Sequence, residues 1–262
     1  MRLKSILLCL VTIIILSACS SSPTGRNQVV LFSEGQMSSL GEQSFTEMKH
    51  ELPISKEAKI NAYVQCVTNA ILHYVPIQAS FSQWEVVVFD SPQVNAFALP
   101  GGKIGVYTGL LNVAVNQDQL ATVIGHEIAH VLADHSNERM SHAHIANAGL
   151  QISNIALASQ DYRNEIMALM GVGVQYGVLL PYGRTQETEA DIVGLELMAK
   201  AGFDPYQSIE LWKNMAKASG GNHTPELLST HPSHDSRIQE LTEKAQRLPV
   251  FTGTKPNCVK AS

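Results

Sequence analysis

His126-Glu127-Ile128-Ala129-His130 is the stretch on which the reading of this sequence turns. On a helix, positions four apart lie about 40° apart around the axis and one turn apart along it. Both imidazoles can therefore reach one ion, with Glu127 beside them and placed to face a water in the same site. Two histidines and a glutamate at this spacing form the H-E-x-x-H arrangement of catalytic zinc sites. The motif is short, and an amphipathic helix with two solvated histidines would carry the same letters. Its surroundings weigh against that alternative. Leu120, Val123, Ile124, Ile128, Val131 and Leu132 make the helix apolar around the motif. Burying two imidazoles and a carboxylate together is costly unless something pairs with them, and a divalent cation does.

A catalytic zinc takes three protein ligands and leaves one position open, so a third ligand is expected from another element. The best candidate is Glu187, in Arg184-Thr185-Gln186-Glu187-Thr188-Glu189-Ala190-Asp191. Glu187 and Asp191 are again four apart. One carboxylate can bind the ion while the other orients a ligand histidine from behind. Glu189 sits about 200° around the axis from Glu187 and should face elsewhere. Taken alone, this segment also reads as a solvated acidic helix start that favours the dipole; the upstream motif decides between the two. His231 precedes Pro232 and by its own letters is a loop histidine. His135, His142 and His144 read as surface histidines.

The rest of the chain predicts an α+β fold, mainly helical, with one small sheet. Ser33 with Gln36 is a capping-box pattern opening a helix to about Glu51. A second helix follows Pro53, with Ile60, Tyr63, Val64, Val67, Ile71 and Tyr74 on one face. Strands are expected at Trp84–Phe89, Val94–Leu99 and Lys103–Tyr107, the last two flanking Pro100-Gly101-Gly102. Asn116 with Gln119 opens the motif helix, read to about His135. Further helices are expected near 138–159, 163–180 and 186–201, the last stopped by Gly202. Another starts at Asp204-Pro205, with Leu211, Trp212 and Met215 inward. After a polar loop over 222–234, a final amphipathic helix carries Ile238, Leu241 and Leu248. The apolar run Ile166 to Pro181 contains Gln175 and three glycines and reads as a buried core helix rather than a membrane segment.

Composition bounds the alternatives. The 262 residues are 45% hydrophobic and 16% charged, which is globular and not disordered. The formal charge is −5 with no basic block, so nucleic-acid binding has no electrostatic footprint. Four cysteines are too few for a disulfide scaffold. Cys66 and Cys258 could pair in an oxidising compartment or stay separate thiols.

The N-terminus is an address. Arg2 and Lys4 precede the apolar run Ile6 to Leu16, too short to span a bilayer comfortably. Leu16-Ser17-Ala18-Cys19 resembles the bacterial lipobox, in which the chain is cut before a cysteine whose thiol is lipidated. Residues 1–18 are thus expected to be a signal peptide, and 19–32 a lipidated Cys19 with a flexible tether. Residues 33–250 would be the functional domain and 251–262 a C-terminal tail. Ser20 after the cysteine favours the outer membrane by resemblance to enteric lipoproteins.

Five segments in order extend the match. They are Asn95-Ala96-Phe97-Ala98-Leu99-Pro100-Gly101-Gly102, then Val106-Tyr107-Thr108-Gly109-Leu110-Leu111, then His126 to His130. Arg184 to Asp191 with Gly194 follow, and last His231-Pro232 with Arg237. In these the chain resembles the gluzincin family of the CAAX prenyl protease and the bacterial heat-shock protease HtpX. It is most similar to the soluble periplasmic lipoproteins and the mitochondrial inner-membrane stress protease of that family. Gly183 stands where many relatives carry Ser. The resemblance implies a zincin-like zinc metalloendopeptidase domain with one Zn²⁺, held by His126, His130 and Glu187. It makes Glu127 the general base and Asp191 the support of the ligand shell. It brings His231 and Arg237 to the cleft, His231 either stabilising the transition state or blocking the open position. It further implies that Asn95, Ala96, Phe97 and Ala98 offer an open strand edge to extended or unfolded polypeptides. The implied setting is quality control in the bacterial periplasm, anchored at the outer membrane through Cys19. Outer-membrane assembly factors are its candidate partners. A chaperone-like binding module with a latent zinc site is the alternative.

Overall fold

The computed structural model describes residues 19–76, 84–150, 183–219, 226–231 and 237–260. In chain order the elements are β1 (Cys19–Ser21), β2 (Asn27–Val29), α1 (Glu34–Glu51), α2 (Ala58–Leu72), β3 (Glu85–Phe89), β4 (Ala96–Leu99) and β5 (Lys103–Tyr107). A 3₁₀ turn, Thr108–Asn112, leads to α3 (Gln117–Leu132), α4 (His135–Leu150), α5 (Arg184–Lys200), α6 (Gln207–Ser219), α7 (Glu226–Thr230) and α8 (Arg237–Arg247). This is the mainly helical α+β architecture expected, and none of these helices is long and apolar enough to cross a membrane.

The sheet is three-stranded, in the order β3-β5-β4, with β3 parallel and β4 antiparallel to β5. Both of its faces are buried, which is why its strands are apolar at successive positions instead of alternating with polar ones. Alternate side chains serve opposite faces. Ala96, Ala98, Ile104 and Val106 join the core shared with Val64, Val67 and Ile71 of α2 and Leu120, Ile124 and Ile128 of α3. Phe97, Leu99 and Tyr107 join Phe45 and Met48 of α1 on the other side, with Phe89. Gly105 leaves room there for the Phe97 ring, whose Cζ lies 2.2 Å from where a Cβ would stand.

Two helices set the site. The Asn116 side chain caps α3 by accepting from the Gln119 amide at 2.9 Å. The α3 and α5 helices then cross in contact. A Cβ on Gly194 would lie 2.7 Å from the His126 nitrogen, and one on Gly125 would lie 2.9 Å from the Gly194 carbonyl oxygen. No larger residue permits this approach, and it is what brings the face of α3 bearing His126 against the face of α5 bearing Glu187. Gly183 provides no side-chain cap for α5; the Gln186 side chain reaches back and accepts from the Gly183 amide at 3.2 Å. Gly202, with φ at 88°, ends that helix as expected.

Several expectations need correction. The motif helix stops at Leu132, and a new one starts at His135 instead of near 138. Asp134 between them adopts φ 53°, a left-handed conformation that sequence pattern does not signal in a non-glycine residue. The polar loop over 222–234 contains α7, and Ile238 is exposed rather than inward. Residues 20–32 do not form a free tether. The β1 and β2 strands pair in an antiparallel hairpin, and Arg26 bridges Glu138 of α4 and Glu189 of α5 at 2.6 and 3.0 Å. Two carboxylates from different helices converging on one guanidinium order the segment. The helix expected at 163–180 and the signal peptide lie outside the described residues.

Cys66 and Cys258 form a disulfide, resolving what the sequence left open. It closes a separation of 192 residues, worth on the order of 2–4 kcal/mol. The tail also meets the start of the motif helix: the Gln117 side chain donates to the Pro256 carbonyl and accepts from the Cys258 amide.

Candidate metal centre

His126, His130, Glu187 and His231 each direct one ligand atom to a common point, all within 4.8 Å of one another and all buried. His126 Nε2 lies 3.0 Å from His130 Nε2 and 3.2 Å from His231 Nδ1. Glu187 lies 3.5 Å from His126 Nε2 and 3.4 Å from His130 Nε2. A tetrahedral zinc with ligands at about 2.0–2.1 Å needs donors about 3.4 Å apart. These separations, 3.0 to 3.5 Å, lie close to that spacing, and the set of imidazole nitrogens and carboxylate oxygen, with no sulfur, suits zinc.

The charges point the same way. Burial alone would drive a proton off His126, but Glu187 and Asp191 outweigh it and push its pKa up to about 9. Burial holds His130 neutral, well below the usual histidine range. Burial would raise Glu187, yet His231 and His126 hold it well below the usual carboxylate range. The pocket is thus built around a buried anion that needs positive charge, which a divalent ion supplies.

Asp191, Arg237 and Glu127 lie around this set. Asp191 Oδ1 accepts from His126 Nδ1 at 3.0 Å, fixing the ring with Nε2 toward the common point. Arg237, 1% exposed, sits with Cζ 3.6 Å from the centroid of the Trp212 ring and donates to Glu187 Oε2 at 3.0 Å and Asp191 Oδ1 at 2.7 Å. Its guanidinium is committed to the two carboxylates of α5. Glu127, 2% exposed, has one oxygen, Oε1, without a hydrogen-bond partner, 3.4 Å from His231 Nε2. Burial pushes its pKa up, opposed by His231, His126 and a backbone hydrogen bond from Ala98. A buried carboxylate oxygen left open beside a metal-binding set is the geometry a general base requires.

The strand containing Ala96, Phe97 and Ala98, with Asn95 just before it, is an edge of the sheet. All four residues are buried, and Val94 just ahead of them accepts from the Leu227 amide of α7 at 3.1 Å. The same short helix leads into His231, whose amide donates to the Leu227 carbonyl at 2.8 Å. A cavity of about 400 Å³ adjoins His130, lined among others by Met37, Pro100, Val131 and Asn137.

Sequence reasoning missed two residues. His135 is fully buried, not on the surface, with Nδ1 2.8 Å from His130 Nδ1. On a continuous helix it would stand about 140° away from His130; the break at Asp134 turns it back. Glu189 faces away from the metal set, as its spacing implied, but toward His135 Nε2 at 3.1 Å rather than solvent. Burial would raise Glu189, yet hydrogen bonds from His135, Ser22 and Thr24 hold it far below the usual carboxylate range.

Comparison with known proteins agrees with this geometry. The chain is 34% identical over 235 residues to the mitochondrial metalloendopeptidase OMA1 of Bos taurus, covering 84% of this chain and 45% of that one. With the OMA1 of Schizosaccharomyces pombe it shares 39% over 162 residues, covering 62% and 46%. With the beta-barrel assembly-enhancing protease of Escherichia coli K12 it shares 25% over 240 residues, covering 88% and 48%. The matched part of this chain thus spans a little under half the length of each of these relatives. The model of Peptidase family M48 matches residues 49–245, a span that contains every member of the metal cluster. With three quarters of its length matched and the cluster assembled within the matched part, the chain belongs to peptidase family M48.

Proposed function

We propose that this chain is a zinc-dependent endopeptidase that cuts misfolded or unassembled proteins of the bacterial envelope. The observation that carries the reading is the convergence of His126, His130 and Glu187 beside the unpartnered oxygen of Glu127. Zinc, when bound, supplies a Lewis acid that acidifies water and polarises the scissile carbonyl. Glu127 takes a proton from the attacking water as its oxygen bonds to the carbonyl carbon. It then delivers that proton to the amide nitrogen as the C–N bond breaks. Asp191 keeps His126 oriented, and Arg237 holds Glu187 and Asp191 in place. His231 Nε2, facing Glu127, is the group placed to donate to the oxyanion.

The setting rests on three supports. The lipobox-like Leu16-Ser17-Ala18-Cys19 gives an anchor at Cys19. The Cys66–Cys258 disulfide belongs to an oxidising compartment such as the periplasm. The Escherichia coli relative is named for enhancing β-barrel assembly, which makes the outer membrane and its assembly factors the natural surroundings. Extended or unfolded polypeptides suit an edge strand such as β4, where backbone hydrogen bonds read little sequence.

His231 also favours a second reading. As a fourth ligand it would close the open position, leaving a chaperone-like binding module with a latent site. The two readings separate on casein cleavage. The endopeptidase cleaves it, stops on chelation and recovers with zinc. If His231 blocks the site, His231→Ala raises the rate; if it serves the transition state, the rate falls by roughly 10²–10³-fold, as for loss of an oxyanion donor. Cleavage indifferent to chelator removes the metal mechanism. No cleavage by either zinc-loaded protein leaves the binding module.

A further inference from the structure

The two histidines of the motif are oriented by different means. His126 donates Nδ1–H directly to Asp191, from the same helix that supplies Glu187. His130 Nδ1 instead meets a second imidazole, that of His135. His130 Nε2 faces the other donors, so its proton sits on Nδ1, 2.8 Å from His135 Nδ1. His135 must accept there, so it carries its own proton on Nε2, 3.1 Å from Glu189 Oε2. The tautomers of both rings follow from one end of this chain to the other without conflict.

Glu189 is held in turn by the N-terminal hairpin. Its Oε1 accepts from the Ser22 hydroxyl, the Thr24 hydroxyl and the Thr24 amide, and its Oε2 accepts from Arg26 Nε at 3.0 Å. Arg26 is itself fixed by two hydrogen bonds to Glu138, at 2.6 and 2.9 Å. His135 is 0% and Glu189 3% exposed, so this carboxylate and imidazole are removed from water in order to meet each other. Burying such a pair at the end of a metal-ligand face has a cost that packing alone would avoid with apolar residues.

We propose that Glu189 and His135 are positioning residues for His130, forming a carboxylate–imidazole–imidazole relay. The relay makes the N-terminal hairpin, next to Cys19, part of the support of the metal centre. Metal-ligating histidines usually donate their second ring N–H to a carboxylate, carbonyl or water. Here the carboxylate acts through a second histidine, and its place is set by a segment nearly a hundred residues or more from either metal-bearing helix in sequence. The inference rests on the metal reading of His126, His130 and Glu187.

The test is zinc affinity of the full-length protein, measured by competition with a chelator of known strength. It compares wild type, Glu189→Gln, His135→Leu and the double variant, with apo-protein melting as the check on folding. Glu189→Gln should bind zinc about 10–100-fold more weakly. The double variant should bind no more weakly than His135→Leu alone, because the carboxylate acts only through that ring. The visible absorption of the cobalt-substituted protein should shift in all three. Wild-type affinity in Glu189→Gln, or losses that multiply independently in the double variant, would overturn the relay. Should Glu189→Gln fail to fold, Arg26→Gln leaves carboxylate and imidazoles in place and removes the hydrogen bond to Glu189 Oε2, along with the Arg26–Glu138 pair. Its loss should be a few-fold and vanish in the His135→Leu background, and unchanged affinity overturns the proposal. A wild type that binds no zinc is a distinct result, which removes the metal reading and the relay with it.

Discussion

Glu127→Gln should keep one zinc per chain and the same fold while cutting an unfolded substrate roughly 10²–10⁴-fold more slowly. The amide has the shape of the carboxylate and its oxygen can still accept from the Ala98 backbone, so neither packing nor the metal ligands need shift. What it loses is the ability to take a proton from water and return it to the leaving nitrogen. The unpartnered Oε1, facing the cluster, is where that proton would go. Steady-state turnover on casein together with metal analysis checks both halves. Turnover near wild type would remove Glu127 as the base, and loss of zinc would place it among the ligands.

Glu187→Ala should act on metal and fold together. It deletes one of three ligands, so zinc should be lost on dialysis. It also leaves Arg237, buried over Trp212, without the acceptor at 3.0 Å, and removes the carboxylate beside His126 and His231. Removing one partner of a buried ion pair costs about 3–5 kcal/mol; with Asp191 still accepting from Arg237, the lower end applies. Glu187→Gln separates the effects: the amide keeps an acceptor for Arg237, so melting recovers more than zinc content does. Zinc stoichiometry by elemental analysis and thermal melting of the apo protein give the two readouts. Undiminished zinc in Glu187→Ala would take Glu187 out of the ligand set.

What could be read from the sequence is what depends on spacing within one helix. His126 with His130, and Glu187 with Asp191, are four-residue pairs, and a period of 3.6 puts each on one face whatever the tertiary fold. Caps are equally local: Ser33, Asn116 and Gly202 act on groups within a few residues of themselves. What escaped depends on chain reversal or on contacts between distant segments. A left-handed Asp134 turned a surface histidine into the neighbour of a ligand. The residues read as tether became a hairpin because Glu138 and Glu189, on separate helices, meet at Arg26. The hydrogen bond from the Leu227 amide of α7 to Val94, just ahead of the strand at Ala96, joins segments more than a hundred residues apart and has no local signal. Pairing of Cys66 with Cys258 needed a distance, since a cysteine does not name its partner.

Two imidazoles of one helix and a carboxylate of another are the set proposed to hold a single zinc. Anomalous diffraction at the zinc edge on crystals of the full-length protein tests this most directly. One peak per chain is expected, within bonding distance of His126 Nε2, His130 Nε2 and a Glu187 oxygen. A peak elsewhere, or zinc-saturated crystals with none between these three residues, would contradict it.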